Sequence, residues 1–97
     1  MAVFELARFT VDPANIEKLL AGRDQMIAAI RETFPGLIAA SLARLDERAW
    51  IDVWQWESLE AAKAGAEGAP SVPEAAAMFG LIDEVLAMEH AEILHQG

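Results

Sequence analysis

Residues 50 to 58 read WIDVWQWES and hold all three tryptophans of the chain, with Asp52 among them. The run of aromatic and β-branched residues predicts a β-strand. Side chains of a strand alternate between its two faces, so the three tryptophans and Asp52 are expected on one face and the residues between them on the other. Neighbours in such a row lie about 6.6 Å apart, which lets one flat ligand contact two indoles.

The segments on either side of this strand predict a hairpin and a helix. Residues 37–45, LIAASLARL, form a second extended run, and the mostly polar residues 46–49 between the two runs are typical of a hairpin turn. Ser58 is suited to cap a helix in the next segment, LEAAKAGAEGA. That helix is expected to be weak, because Gly65 and Gly68 interrupt it.

The first third of the chain predicts a strand followed by a long helix. Residues 3–11 are rich in β-branched and aromatic types and stop at Asp12-Pro13, a pair that favours a helix start. The helix is expected to end before the Pro-Gly pair at 35–36. Its apolar residues recur every three or four positions and form one stripe: Ile16, Leu19, Leu20, Met26, Ile27, Ile30 and Phe34.

The last third predicts a short helix and a final strand. Ser71 and Glu74 have the spacing of a capping box, and the helix that begins there is expected to turn Met78 and Phe79 inward. The last run, from about Ile82 to Leu94, is long enough for a strand. Strict alternation there predicts one face with Val85, Ala87, Ala91 and Ile93 and the other with Leu86, Met88, His90 and Leu94.

The element order strand, helix, strand, strand, broken helix, strand predicts one α+β domain over residues 1–97. The simplest arrangement is the ferredoxin-like βαββαβ fold, a four-stranded antiparallel sheet with the helices on one face. The first strand is apolar on both sides, with Val3, Ala7, Phe9 and Val11 opposing Phe4 and Leu6. Helices cover only one face, so the second is expected to pack against another copy of the chain in a homodimer.

Composition excludes several classes of partner. Sixteen acidic against seven basic residues give a net charge of −9, which repels nucleic acid and anionic membrane surfaces. The chain has no cysteine, and neither a signal peptide nor a membrane-spanning run is recognisable. We therefore expect a cytoplasmic protein with neither nucleic acid nor membrane as a partner.

Asp52 and Arg23 are the first candidate site residues. A buried, unpaired Asp52 would have a raised pKa and could accept a proton as a general base, whereas an Asp52 at the rim or paired with a cation could not. Arg23 falls at the centre of the apolar stripe of the first helix, where a guanidinium needs a partner. It can pair with Asp52, extend to solvent, or bind an anionic substrate oxygen.

The remaining candidates come from the tryptophan row, the second helix and the last strand. Trp50 and Trp54 are predicted either to bind a flat substrate or to fill the space between helix and sheet or the dimer seam. Met78 and Phe79 are predicted to line either the core or the pocket. His90 is a possible base, while His95 near the end is expected in solvent. Their odd spacing puts the two histidines on opposite faces, and no other metal motif occurs, so neither a metal site nor a cofactor is expected.

Three features resemble the antibiotic biosynthesis monooxygenase family of dimeric α/β-barrel proteins. They are Phe34-Pro-Gly-Leu37 after the first helix, the strand ending in Trp56-Glu-Ser58, and the Ala-rich helix directly after it. The resemblance implies a barrel formed by the sheets of two chains, with a pocket in each. It also implies oxidation of polycyclic phenols or anthrones without metal or flavin, since the deprotonated substrate itself reduces dioxygen.

The resemblance implies a catalytic role for Trp56, which corresponds to the tryptophan in the pocket of relatives. This chain has Asp52 where relatives carry an asparagine, and it contains no tyrosine, although relatives use one shortly after the tryptophan. Its second helix also lacks the histidine that binds iron in haem-degrading members, so haem degradation is not expected.

Two functions follow as hypotheses. The first is a cofactor-independent monooxygenase acting on a flat, oxygenated, polyketide-like aromatic. In it Asp52 or His90 accepts a proton, Arg23 holds the resulting oxyanion, and Trp54 and Trp56 stack the ligand. The second is a non-catalytic dimeric barrel that binds a small ligand or serves as an assembly module.

Overall fold

A computed structural model describes residues 1–97 as a four-stranded antiparallel sheet with three α-helices on one face. The spatial strand order is β2-β3-β1-β4, and every neighbouring pair is antiparallel, which confirms the ferredoxin-like prediction. Along the chain the elements are β1 (Val3–Val11), α1 (Ile16–Thr33), β2 (Leu37–Arg44), β3 (Ala49–Trp56), α2 (Leu59–Gly68), α3 (Pro73–Phe79) and β4 (Ile82–Glu92).

Two helix starts form as the sequence predicts. The Asp12 carboxylate accepts a hydrogen bond of 3.0 Å from the backbone N–H of Ala14, and Pro13 opens a short 3-10 turn that leads into α1. The Ser58 hydroxyl accepts a bond of 3.0 Å from the N–H of Ala61 at the start of α2. Both side chains satisfy donors that a helix N-terminus leaves free.

The predictions for α2 and α3 were wrong in two details. Ser71 ends a 3-10 turn instead of capping α3, which begins one residue later than predicted, after Val72 and without a side-chain cap. Pro73 takes the first helical position, where its missing N–H costs nothing. Gly65 and Gly68 do not interrupt α2, because both lie inside it and allow aromatic rings to approach the helix backbone closely.

The tryptophan row faces the helices. Trp50, Asp52, Trp54 and Trp56 are all buried, whereas Ile51, Val53 and Gln55 on the other face are only half-buried. This alternation is the one that the sequence of β3 predicts. Strand β1 brings a matching row alongside it, since Val3, Glu5, Ala7 and Phe9 lie directly opposite Trp56, Trp54, Asp52 and Trp50.

Strand β4 departs from strict alternation. The register with β1 shifts between Arg8 and Phe9, so Val85 lies opposite Phe9 while Ala87 lies opposite Arg8. The extra residue, Leu86, is a bulge in the edge strand. The predicted faces were therefore wrong at this point, because Val85 joins Met88 and His90 on the helix-facing side and Leu86 does not.

The opposite face of the sheet carries no helix. Its central side chains, Phe4, Leu6, Ile51 and Val53, are half-buried in the single chain. This leaves an apolar surface of the kind that usually contacts another protein. None of the helices is both long enough and apolar enough to cross a bilayer.

Candidate functional site

A cavity of about 370 Å³ lies between the helix-facing side of the sheet and α2. This volume is within the range typical of small-molecule sites. Strands β1 and β3 contribute aromatic and charged lining, α2 and the 3-10 turn directly after it contribute small residues, and the edge strand β4 forms the rim. These three groups are Glu5, Asp52, Trp54 and Trp56; Gly65, Ala66 and Ala69; and Val85 and Met88.

Trp54 and Trp56 form a stacked aromatic wall. Their ring centroids are 6.4 Å apart and their planes differ by 16°, close to the spacing that the strand pattern predicts. Trp56 packs directly against α2, since a Cβ added at Gly65 would come within 2.2 Å of its ring. The glycine therefore lets the six-membered ring of the indole come close to the helix backbone, and Trp56 is 1% exposed.

Arg23 and Asp52 form a bidentate ion pair. Both guanidinium N–H groups donate to the Asp52 carboxylate at 2.8 Å, one to each oxygen. The two residues are 8% and 7% exposed, and the guanidinium carbon lies 5.9 Å from the centre of the Trp54 ring. Of the alternatives that the sequence left open for these residues, mutual pairing is the one found. Such a pair satisfies two buried charges that would each be costly alone.

Glu5 is a buried carboxylate that the sequence analysis did not single out. It is 7% exposed, lines the cavity and lies opposite Trp54 in the sheet register. Its Oε2 atom is 3.2 Å from Nε2 of His90 on the neighbouring strand β4. The signal was present in the sequence, because Glu5 occupies an inward position between Val3 and Ala7.

The surroundings of Glu5 act on its acidity in opposite directions. Burial raises the pKa of Glu5 above its ordinary value of 4.5, and the charge of Asp52 adds to this effect. The hydrogen bond and charge of His90 oppose it. The indole N–H of Trp56 also favours the ionised form, although this buried donor has no acceptor in good hydrogen-bond geometry.

The other predicted site residues divide between the cavity and the core. Phe79 lines the cavity at the end of α3. Trp50 does not, since it is buried beside Phe9, Val11 and Leu19 in a separate cluster. Three further predicted residues lie outside the cavity lining: Arg23 behind Asp52, Met78 in the packing between the helices and the sheet, and His90 behind Glu5.

The two histidines have separate surroundings. His90 contacts Glu5, and His95 lies exposed beyond the end of β4. No group of three or more His, Cys, Asp or Glu side chains is placed to hold a metal ion.

Comparison with known proteins identifies the family. The family model described as antibiotic biosynthesis monooxygenase matches residues 2–68, about two thirds of the chain. The chain belongs to the antibiotic biosynthesis monooxygenase family. The match spans β1 to α2 and so includes most of the residues around the cavity. No curated protein sequence matches the chain.

Solved structures related to the antibiotic biosynthesis monooxygenase family share the fold. A candidate antibiotic biosynthesis monooxygenase from Chloroflexus aurantiacus superposes with a TM-score of 0.70 at 21% identity, covering 100% of this chain and 98% of its own. One from Caulobacter crescentus gives 0.72 at 18%, covering 97% and 91%. SnoaB, a cofactor-independent oxygenase from Streptomyces nogalater, gives 0.64 at 23%, covering 99% and 95%. At these identities the likeness establishes the architecture.

Proposed function

We propose that this chain is a cofactor-independent monooxygenase that acts on a flat, oxygenated aromatic molecule. The observation that carries the proposal is the cavity, in which two parallel indoles face a buried carboxylate. A planar ring system fits beside the indoles, and a buried carboxylate provides a base next to it. Family membership and the likeness in fold to SnoaB support the same chemistry.

The reaction that fits this site can be written for an anthrone. A base removes a proton from the ring carbon, and the electron pair remains on the substrate as an extended enolate. The enolate reduces dioxygen, one oxygen atom forms the new carbonyl of a quinone, and the other leaves as water. Dioxygen is thus the oxidant and the substrate is the only reductant.

Individual roles follow from position. Trp54 and Trp56 stack the ring system. Phe79 at the opposite side of the cavity completes the apolar lining. Arg23 reaches this site through Asp52, so we assign the pair to positioning Trp54 and not to direct contact with the substrate.

We also propose that two copies pack sheet against sheet, in the cytoplasm, and that each keeps its own cavity. The uncovered apolar face around Leu6 and Val53 supports this arrangement. Sedimentation at micromolar concentration is expected to give a dimer, and V53D, which puts a charge in that face, a monomer. A stable wild-type monomer would contradict the dimer.

Activity is tested with anthrone and 1-naphthol, following tryptophan fluorescence for binding and dissolved oxygen for turnover. We expect quenching together with oxygen uptake above buffer. W54F should weaken binding by about two- to twelvefold, because a stacking contact is worth roughly 0.5 to 1.5 kcal/mol. The matched variant W50F, outside the cavity, should bind like wild type. Quenching without oxygen uptake would favour the non-catalytic ligand-binding alternative, and neither signal would contradict the proposal.

A further inference from the structure

The two buried carboxylates at the cavity differ in what occupies their oxygens. Both oxygens of Asp52 accept hydrogen bonds from Arg23 at 2.8 Å. Glu5 has one weaker contact, of 3.2 Å, through Oε2 alone. Oε1 of Glu5 accepts no side-chain hydrogen bond in good geometry, although the Trp56 indole N–H acts on the carboxylate, and the residue lines the cavity. A base needs a free lone pair directed at its proton, so Glu5 is the better placed of the two.

His90 connects Glu5 with solvent. It lies on the edge strand β4, directly opposite Glu5 in the register, and its side chain is 25% exposed compared with 10% for Glu5. His90 does not line the cavity. The pair therefore extends from a buried oxygen at the aromatic wall to an imidazole in contact with solvent.

We propose that Glu5 accepts the proton from the bound aromatic and that His90 passes it to solvent. This inference rests on the proposed function, and it replaces Asp52 as the proton acceptor. The substrate C–H or O–H bond breaks, its electron pair stays on the substrate, and the proton moves to a Glu5 oxygen. With His90 in its Nδ1–H tautomer, Glu5 then transfers the proton to Nε2 while Nδ1 releases its proton to water, so that the net products are the substrate anion and a solvated proton. This leaves the Nε2–H tautomer, which donates to the ionised Glu5 carboxylate, and proton exchange with water restores the Nδ1–H tautomer for the next cycle.

The charged groups near Glu5 are consistent with this role. Asp52 acts on it from β3, His90 from β4, and Asp83 lines the same cavity at its rim, while the part of α2 that lines the cavity is uncharged. Arg23 offsets the charge of Asp52. Burial makes the Glu5 carboxylate a stronger base than an exposed one, and its contact with His90 keeps the ionised form accessible.

The first experiment separates proton abstraction from oxidation. Anthrone is incubated with the protein in D2O under nitrogen, and deuterium incorporation at the ring carbon is followed by mass spectrometry. Wild type is expected to accelerate exchange over buffer. E5Q, which keeps the shape of the side chain, should lose at least a hundredfold of that acceleration, the contribution typical of a general base. E67Q, at an exposed position on α2, is the matched control and should exchange like wild type.

The second experiment tests the relay. H90Q keeps a hydrogen-bonding group but cannot carry the proton onward, so exchange should slow. Its pH profile should also shift to higher pH, because His90 no longer favours ionised Glu5. A shifted midpoint with an unchanged maximal exchange rate in H90Q would mean that His90 sets the acidity of Glu5 but does not carry its proton, and would refute the relay. H90Q alters a partly exposed side chain, so it tests the proposal even if E5Q folds poorly.

The outcomes distinguish a failure of the role of Glu5 from a failure of the proposed function. If wild type consumes oxygen and E5Q exchanges and consumes oxygen equally well, the role of Glu5 is refuted and the proposed function stands. If wild type neither binds anthrone, exchanges its proton nor consumes oxygen, the proposed function fails and this inference with it. Loss of exchange in E5Q with anthrone binding retained supports both.

Discussion

The helix-facing side of the sheet is filled at one end and hollow at the other. At the filled end, Trp50 packs with Phe9, Val11 and Leu19, and the Arg44 guanidinium lies 5.8 Å from its ring centre. At the hollow end, Trp54 and Trp56 stand beside the cavity together with Glu5. Both ends carry tryptophans of the same strand, β3, so the difference must come from the helices that cover them.

The helices supply that difference. Over the filled end α1 presents Leu19, a side chain large enough to reach the indole. Over the hollow end α2 presents Gly65 and Ala66, and the 3-10 turn after it presents Ala69; these small residues leave space above the sheet. Asp52 and Arg23 lie between the two ends and bind the middle of α1 to β3. Small residues in a covering helix thus turn one half of a common core into a cavity.

Breaking the Arg23–Asp52 ion pair, which lies between the two ends, should have the largest effect on stability. R23M leaves Asp52 buried and unpaired, which is expected to lower the free energy of unfolding by about 3 to 5 kcal/mol in a urea titration. K18M, at an exposed position on the same helix, serves as the control and should change it little. The double variant R23M/D52L, with no buried charge left over, should recover most of the loss. A loss below about 1 kcal/mol for R23M alone would show that the pair does not anchor α1.

Filling the hollow end at Gly65 should have an intermediate effect. A methyl group there meets the Trp56 ring at 2.2 Å, so G65A must push the indole or α2 aside. We expect a loss of about 1 to 3 kcal/mol in the free energy of unfolding, together with weaker quenching by anthrone. G80A introduces the same methyl group where the nearest atom outside its chain neighbours is 3.5 Å away, and it should be nearly neutral. Equal stability of both variants would contradict the close packing of Trp56 on α2.

The smallest effect on stability is expected from E5Q, which removes the charge of Glu5 at the hollow end. Because the pKa of Glu5 is raised in the folded protein, folding binds protons above the ordinary pKa of 4.5, and this contribution disappears as pH rises through the folded-state value. At pH 7 the burial of the charged Glu5 carboxylate therefore destabilises the wild type. E5Q should be more stable there by at most about 1 kcal/mol.

The same variant predicts a change in pH dependence. Between pH 4.5 and 7 the free energy of unfolding of E5Q should fall less with rising pH than that of wild type, measured by urea titrations across that range. The control E67Q should follow the wild-type slope. A steeper fall for E5Q would mean that the folded state favours ionised Glu5.

Local patterns predicted much of this molecule. The alternation in β3, the apolar stripe of α1 except for the exposed Leu20, and the caps at Asp12 and Ser58 depend on neighbouring residues, so they could be read from the sequence. The bulge at Leu86 could not, because an extra residue in an edge strand is visible only in its pairing with β1.

The site was less predictable for a related reason. Asp52 stood out among tryptophans, whereas Glu5 resembled an ordinary polar residue in an alternating strand. Its importance depends on His90, which is 85 positions away in sequence. Similarly, nothing within β3 distinguishes Trp50 from Trp54, since α1 and α2 decide which indole is covered and which faces a cavity.

The three indole N–H signals in a nitrogen-15 NMR spectrum test the central claim most directly. Titration with anthrone under nitrogen should shift the signals of Trp54 and Trp56, which line the cavity, and leave the signal of Trp50 in place. Phe substitutions at each position assign the three signals. A shift confined to Trp50, or no shift of any indole at saturating anthrone, would contradict a ligand site at the hollow end of the sheet.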